Sequence, residues 1–190
     1  MPQNGLEARY GELPHTHRVP DVLVEGLTLV FCGTALGYAS AANRAYYAHA
    51  GNRFWKTLYR TGLTPRLLLP EEFACVTAYG FGLTDLCKNA YGSDNQLPAD
   101  ALDANALLQK IMRYQPGIVA FTSKTAASAF LGKPTAKIAY GFQWETCGKT
   151  IITVLPSPSG QARIFWDEKH WQQLADRVHS VRHTGKMDGT

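Results

Sequence analysis

A chain of 190 residues, 45% of them hydrophobic, is long enough to bury a substantial core as a single domain. Lys and Arg number 19 against 15 Asp and Glu, a formal net charge of +4 that suits a polyanionic partner without requiring one. The four cysteines, Cys32, Cys75, Cys87 and Cys147, form no CxxC pair, which argues against structural zinc, an iron–sulfur cluster and a disulfide framework. No apolar run approaches the length of a membrane span, and the polar opening of the chain has no secretory pattern, so the expected location is cytoplasmic.

Residues 1–20 carry no periodicity and end in Pro20, which predicts a flexible arm ahead of one domain over 21–181. Leu27-Thr28-Leu29-Val30-Phe31 reads as a short buried strand. The stretch 33–52 is small, polar and aromatic by turns and too long for a simple strand-to-helix connection. Loops of that length in compact domains often carry function. A helix is predicted over 53–61 with Phe54, Trp55 and Leu58 inward and Gly62 as its stop. Pro70-Glu71-Glu72 opens another, with proline in the first turn and acids at the positive end of the dipole, and Gly80 ends it.

A second strand is predicted over 81–86, followed by a second long loop over 87–98. Ala99-Asp100 is expected to open a helix carrying Leu102, Ala106, Leu107, Ile111 and Met112 on one face. Gly117-Ile118-Val119-Ala120-Phe121-Thr122 reads as a third buried strand, and Ser123 caps a helix to Leu131. Residues 150–155 form the last core strand, and Asp167 caps a helix carrying Trp171, Leu174 and Val178. The basic, unpatterned end over 182–190 is a flexible tail. Helices alternating with short apolar strands imply a three-layer α/β/α sandwich with a short central, mainly parallel sheet. The loops after Phe31, Leu86 and Leu155 then gather at one sheet edge, where open α/β sheets build ligand crevices.

Three segments carry a family resemblance. They are Gly33-Thr34-Ala35-Leu36-Gly37 after the first strand, Ala48-His49-Ala50-Gly51-Asn52-Arg53-Phe54-Trp55, and Ser157-Pro158-Ser159-Gly160 after Leu155-Pro156. In order and in this strand context they resemble the uracil-DNA glycosylase superfamily, specifically its mismatch-specific uracil/thymine-DNA glycosylase branch, over residues 22–177. The resemblance implies removal of a damaged base, chiefly uracil, by hydrolysis of the N-glycosidic bond in DNA, with no metal or organic cofactor. The base must leave the stack to be reached. A tight, glycine-bearing loop can then present backbone N–H groups to its carbonyls.

The same resemblance distributes roles. Tyr47 falls where the branch places the aromatic that stacks on the extruded base, although Tyr46 beside it is an equal candidate for the core. Thr34 and Gly37 match positions whose backbone touches the base, and the bland alternative is a plain tight turn. His49 and Asn52 are read as loop-pinning residues. Gln161, after Gly160, stands where a side chain fills the gap left by extrusion, polar where an apolar wedge is common. Ser157 and Ser159 suit phosphate contacts, and Arg163 is either a phosphate contact or a solvated surface charge.

One departure matters most. The water-positioning Asn of the first segment is Ala35 here, which has no polar group. A subgroup of the branch lacks this Asn and carries an Asp in the loop after the second strand, which points to Asp94 within Lys88-Asn89-Ala90-Tyr91-Gly92-Ser93-Asp94. Asp85, still on the strand, is its rival, with ordering of the strand end as its alternative use. A non-catalytic module that binds damaged or abasic DNA is the competing function. An unrelated nucleotide-binding enzyme is disfavoured by the lack of GxGxxG, Walker-lysine and GxSxG patterns. A lyase acting through Lys124 is disfavoured because that lysine sits in the first turn of a predicted helix.

Overall fold

Alternation along two neighbouring strands sets the layers. In the computed structural model, which describes residues 11–12 and 19–184, strand β2 (Leu29–Gly33) points Leu29 and Phe31 to one side and Val30 and Cys32 to the other. Strands β3 (Phe81–Asp85), β5 (Ile118–Phe121) and β7 (Thr150–Val154) are likewise short and apolar, as sheets covered on both faces demand. The sheet order is β3-β2-β5-β7-β6, parallel except for the edge strand β6 (Gly141–Cys147), which runs antiparallel to β7. This is the expected α/β sandwich.

On the Phe31 side lie helices α2 (Phe54–Arg60) and α5 (Lys169–Thr184), which bury Phe54, Leu58, Trp171, Leu174 and Val178. Phe31 packs edge-on against Phe54 at 5.0 Å and stacks on Trp171 at 5.9 Å. The opposite face is covered by α3 (Ala104–Tyr114) through Leu107 and Ile111, and by α4 (Lys124–Leu131) through Ala126 and Ala127. Ser123 caps α4 by accepting from Ala126 N, as its position predicts.

The structure corrects several elements. Helix α3 begins at Ala104, capped by the Asp103 carboxylate on Ala106 N at 2.8 Å, and residues 99–101 form a separate 3-10 turn. Met112 lies off the apolar face and is 61% exposed. The segment Pro70–Tyr79 winds as a 3-10 helix, which places Phe73, Val76 and Tyr79, three apart, in one stripe against the core. The loop 33–52 contains a short helix, α1 (Tyr38–Asn43). Strand β6 was not anticipated.

The ends also join the fold. From the expected arm, β1 (Gly11–Glu12) pairs with β4 (Ala90–Tyr91), and Val19 is buried. The other arm residues up to 18 lie outside the described residues, as do 185–190, and α5 runs through Thr184 into the expected tail.

Candidate active site

The connections after β2 and β5, adjacent in the sheet, leave toward opposite faces, one reaching α2 and the other α4. Such a switch point opens a crevice at the strand C-termini. Here it has a volume of about 1100 Å³, and Thr34, Gly37, Tyr47, Asp94, Ser157, Ser159, Gly160, Gln161 and Arg163 all line it.

Backbone bonds bring the far-apart loops together. Leu86 N donates to Gly33 O, Cys87 N to Thr34 O at 2.8 Å, and Gly92 N to Leu36 O at 2.9 Å. The loop after β3 is thereby laced to the loop after β2, and Asp94 is carried to Thr34. The Thr34 hydroxyl donates to Asp94 Oδ2 at 3.0 Å and stands 2.8 Å from Ser123 Oγ. Thr34 has one proton and directs it at the carboxylate, so Ser123 is the donor in the second contact. The order Ser123 to Thr34 to Asp94 follows, with α4 holding its inner end through the Ala126 N–H. The chemistry of this line is that of an exposed carboxylate held by a buried hydroxyl pair.

Helix α2 places the aromatic wall. Tyr47 stacks on Phe54 with ring centroids 3.8 Å apart and planes 12° off parallel, and its hydroxyl lies 3.2 Å from Thr122 Oγ1. Trp55 donates its indole N–H to Tyr46 O at 3.0 Å, fixing the chain just before it. Tyr47 sits in left-handed backbone at φ +55°, a conformation that non-glycine residues adopt only when the surroundings impose it. Burial, reinforced by Asp85, pushes its phenol well above the ordinary value, so the ring stays neutral. Tyr46 is core: 1% exposed, with Lys88 Nζ donating to its hydroxyl at 3.0 Å.

Asp85 forms the floor. It is 3% exposed, its Oδ2 has no hydrogen-bond partner, and its Oδ1 occupies the space where a Cβ on Gly33 would stand. Burial pushes its carboxyl up to about 6, against the pull of Lys88 and Lys110. Gly37 differs from Gly33: a Cβ there would meet no atom within 4 Å.

The rim is the segment after β7. Trp171 donates to Pro156 O at 3.1 Å, Arg53 N donates to Pro158 O at 2.9 Å, and Gly160 lies so close to Gly51 that a Cβ would stand 3.2 Å from its carbonyl oxygen. The second and third segments of the sequence resemblance are thus one packed unit. His49 Nδ1 accepts from Gly51 N and Asn52 Oδ1 from Phe54 N, so both pin the loop. Ser157 Oγ accepts from Ser159 N and Ser159 Oγ from Gln161 N, both at 3.3 Å. Across the mouth, the Ser93 hydroxyl donates to Gln161 Oε1 at 3.4 Å. Lys124 lines the crevice with its ammonium 4.5 Å above the Tyr140 ring.

Sequence reasoning passed over four contributors. Ser123 was legible as a cap but not as a member of the Asp94 line, and Thr122 gave no signal beyond ending a strand. Ile164 and Phe165, 86% and 61% exposed, follow Arg163 in the chain, and Phe165 lines the crevice. Two large apolar residues in a loop were the available signal. Among the described residues no cluster of three His, Cys, Asp or Glu could hold a metal.

Fold and crevice define an α/β protein with an open crevice at the switch point of its sheet. The chain belongs to the uracil DNA glycosylase superfamily, which it matches over residues 20–176. In class it is a DNA glycosylase, a hydrolase of base-excision repair that acts on DNA. Among solved structures it is similar to the solution NMR structure of a candidate uracil DNA glycosylase from Methanosarcina acetivorans. Identity is 20% and the TM-score 0.57, with 86% of this chain and 98% of that one covered, a likeness of fold.

Proposed function

We propose that the protein extrudes uracil from DNA into this crevice and hydrolyses its N-glycosidic bond, leaving an abasic site. The observation that carries the reading is the Thr34–Asp94 hydrogen bond, 3.0 Å, in a crevice walled by Tyr47. Breaking the bond dissociatively puts positive charge on the sugar and calls for a water on its open face. The Ala35 side chain can hold no water, whereas a carboxylate orients one and stabilises the cation, more strongly where bulk water is excluded. Tyr47 stacks on the base, and the backbone of Thr34 and Gly37 reads its edge. The hydroxyls of Ser157 and Ser159 and the Arg163 guanidinium take phosphates. Gly160 allows that loop its close approach, Gln161 faces the orphaned partner base, and Phe165, on the crevice lining, adds the apolar bulk that Gln161 lacks.

The reaction is monofunctional in this reading, since the Lys124 amine is engaged on Tyr140 rather than placed as a nucleophile. Within the superfamily we assign the chain to the mismatch-specific uracil/thymine branch on its 48–55 segment. A cleavage assay on uracil-containing single strands and on U:G and U:A duplexes, developed with alkali, tests this. Strand breaks only after alkali are expected. Breaks without alkali mean a lyase, and binding to abasic DNA with no cleavage means a non-catalytic module.

A further inference from the structure

Trp144 is 100% exposed, on a strand whose other side chains explain its shape but not that residue. Edge strand β6 pairs Phe142 with Thr153 and Thr146 with Ile151, so three residues, 143–145, bulge against Ile152 alone. Gln143 anchors the bulge by donating to Ala139 O at 3.0 Å and to Gly141 O at 2.7 Å. A bulge on an edge strand prevents pairing with another chain. It does not call for a bare indole at its crown, where a lysine would serve. Phe142, two residues earlier, is a further 42% exposed.

The ledge continues from the crevice. Tyr140 and Lys124 line the crevice, and β6 starts at the next residue, Gly141, paired with Val154 at the crevice end of β7. Because residues 143–145 bulge against Ile152, two positions from Val154, Trp144 lies only about 7 Å along the sheet from Gly141, on the order of one nucleotide of extended DNA. Charge agrees with that occupant. Residues 132–152 hold Lys133, Lys137 and Lys149 against one acid, Glu145, which pairs with Lys133. Exposed aromatics among cations are the general means of holding unpaired bases, because every base has a face to stack.

We propose that Phe142 and Trp144 form a stacking ledge for unpaired bases of the DNA strand that flanks the crevice. The strand leaves the crevice past Tyr140 and lies along β6, with Trp144 under a base and the lysines near its phosphates. This rests on the crevice being the DNA site, but its test does not need cleavage. Among the described tryptophans, Trp55 and Trp171 are buried and Trp166 is half-buried, so emission from exposed indole reports Trp144.

Titrating the protein with undamaged sixteen-residue oligothymidylate is expected to quench that emission. Trp144→Ala should abolish the quench and weaken binding about fivefold or more, the low end of one lost base stack. Trp144→Phe should restore most of the affinity. Strands extended on only one side of the lesion should show the Trp144→Ala loss on that side alone. An unquenched titration overturns the proposal, as does affinity within twofold of the parent. So does a self-association that Trp144→Ala abolishes, which would assign the ledge to a second copy of the chain. A protein that cleaves no uracil but shows the quench sinks the glycosylase reading and leaves the ledge standing.

Discussion

Asp85 Oδ1 occupies the volume that a side chain on Gly33 would need, although the two residues belong to adjacent strands and are 52 positions apart. Gly33 is therefore a glycine for steric reasons, since a buried carboxylate at the end of β3 leaves no room for a methyl. Gly33→Ala should destabilise the protein by about 1–3 kcal/mol, as overpacking a rigid site does. The same substitution in an Asp85→Ala background should cost much less. Urea melts of the four proteins measure the coupling, and equal costs in both backgrounds would remove the clash as the cause.

Asp85 also sets a pH dependence. Its carboxyl rises from an ordinary 3.8 to about 6 through burial, so the folded state holds the proton more tightly than the unfolded chain. Stability from this group is complete below about pH 4, where both states are protonated, and is lost as pH climbs through about 6. About two pH units correspond to about 3 kcal/mol at neutral pH. Asp85→Asn, which carries no charge, should therefore gain about that much on the parent between pH 4 and pH 7.5 in denaturant melts. A stability difference that stays constant with pH would contradict this.

The line from Ser123 through Thr34 to Asp94 predicts a graded series. Asp94→Asn should cut single-turnover cleavage strongly while leaving affinity for uracil DNA nearly intact, because it removes charge and keeps shape. Thr34→Val removes the hydroxyl that aims the carboxylate, and a hydrogen bond to a charged group is worth about 1.5–3 kcal/mol. A fall of roughly tenfold to a hundredfold in kcat with KM little changed is expected. If Asp94→Asn and Asp94→Ala both cleave at the parent rate, the catalytic role passes to Asp85.

Tyr47 separates stacking from hydrogen bonding. Tyr47→Phe loses only the Thr122 contact and should keep most activity and fold. Tyr47→Ala loses the face offered to the base, about 1–3 kcal/mol, as well as the stack on Phe54. Turnover of a folded Tyr47→Ala protein should drop by tens of fold, and unchanged turnover would end the stacking assignment.

Local chemistry made much of this molecule readable before its fold was known. The apolar runs at Phe31, Phe81, Val119 and Ile152, the Ser123 cap and the glycine stops at 62 and 80 act through neighbours in sequence, so the sequence alone determined α2, α4 and α5, the buried strands and the layered class, but not α1, the start of α3 or the 3-10 winding of 70–79. It also determined which loops emerge at the strand C-termini, since parallel strands all present the same end. It missed β6, whose Phe142-Gln143-Trp144-Glu145 alternation exposes its large residues and so gives no burial signal. Met112 was misplaced because spacing alone cannot say how wide the covered stripe of α3 is.

Tertiary structure alone decided what each polar residue meets. Asp94 lies in the loop that follows β3, and Asp85 ends that strand. Only the backbone bonds between the loops after β2 and β3 carry the first to Thr34 at the mouth, and only the Gly33 gap seats the second on the floor, its Oδ2 without a partner. Tyr46 and Tyr47 are neighbours of identical chemistry. A left-handed residue turns one onto Phe54 at the crevice, and a lysine 42 positions away holds the other in the core. Contacts between residues tens of positions apart depend on how the loops close, and no local propensity encodes that closure.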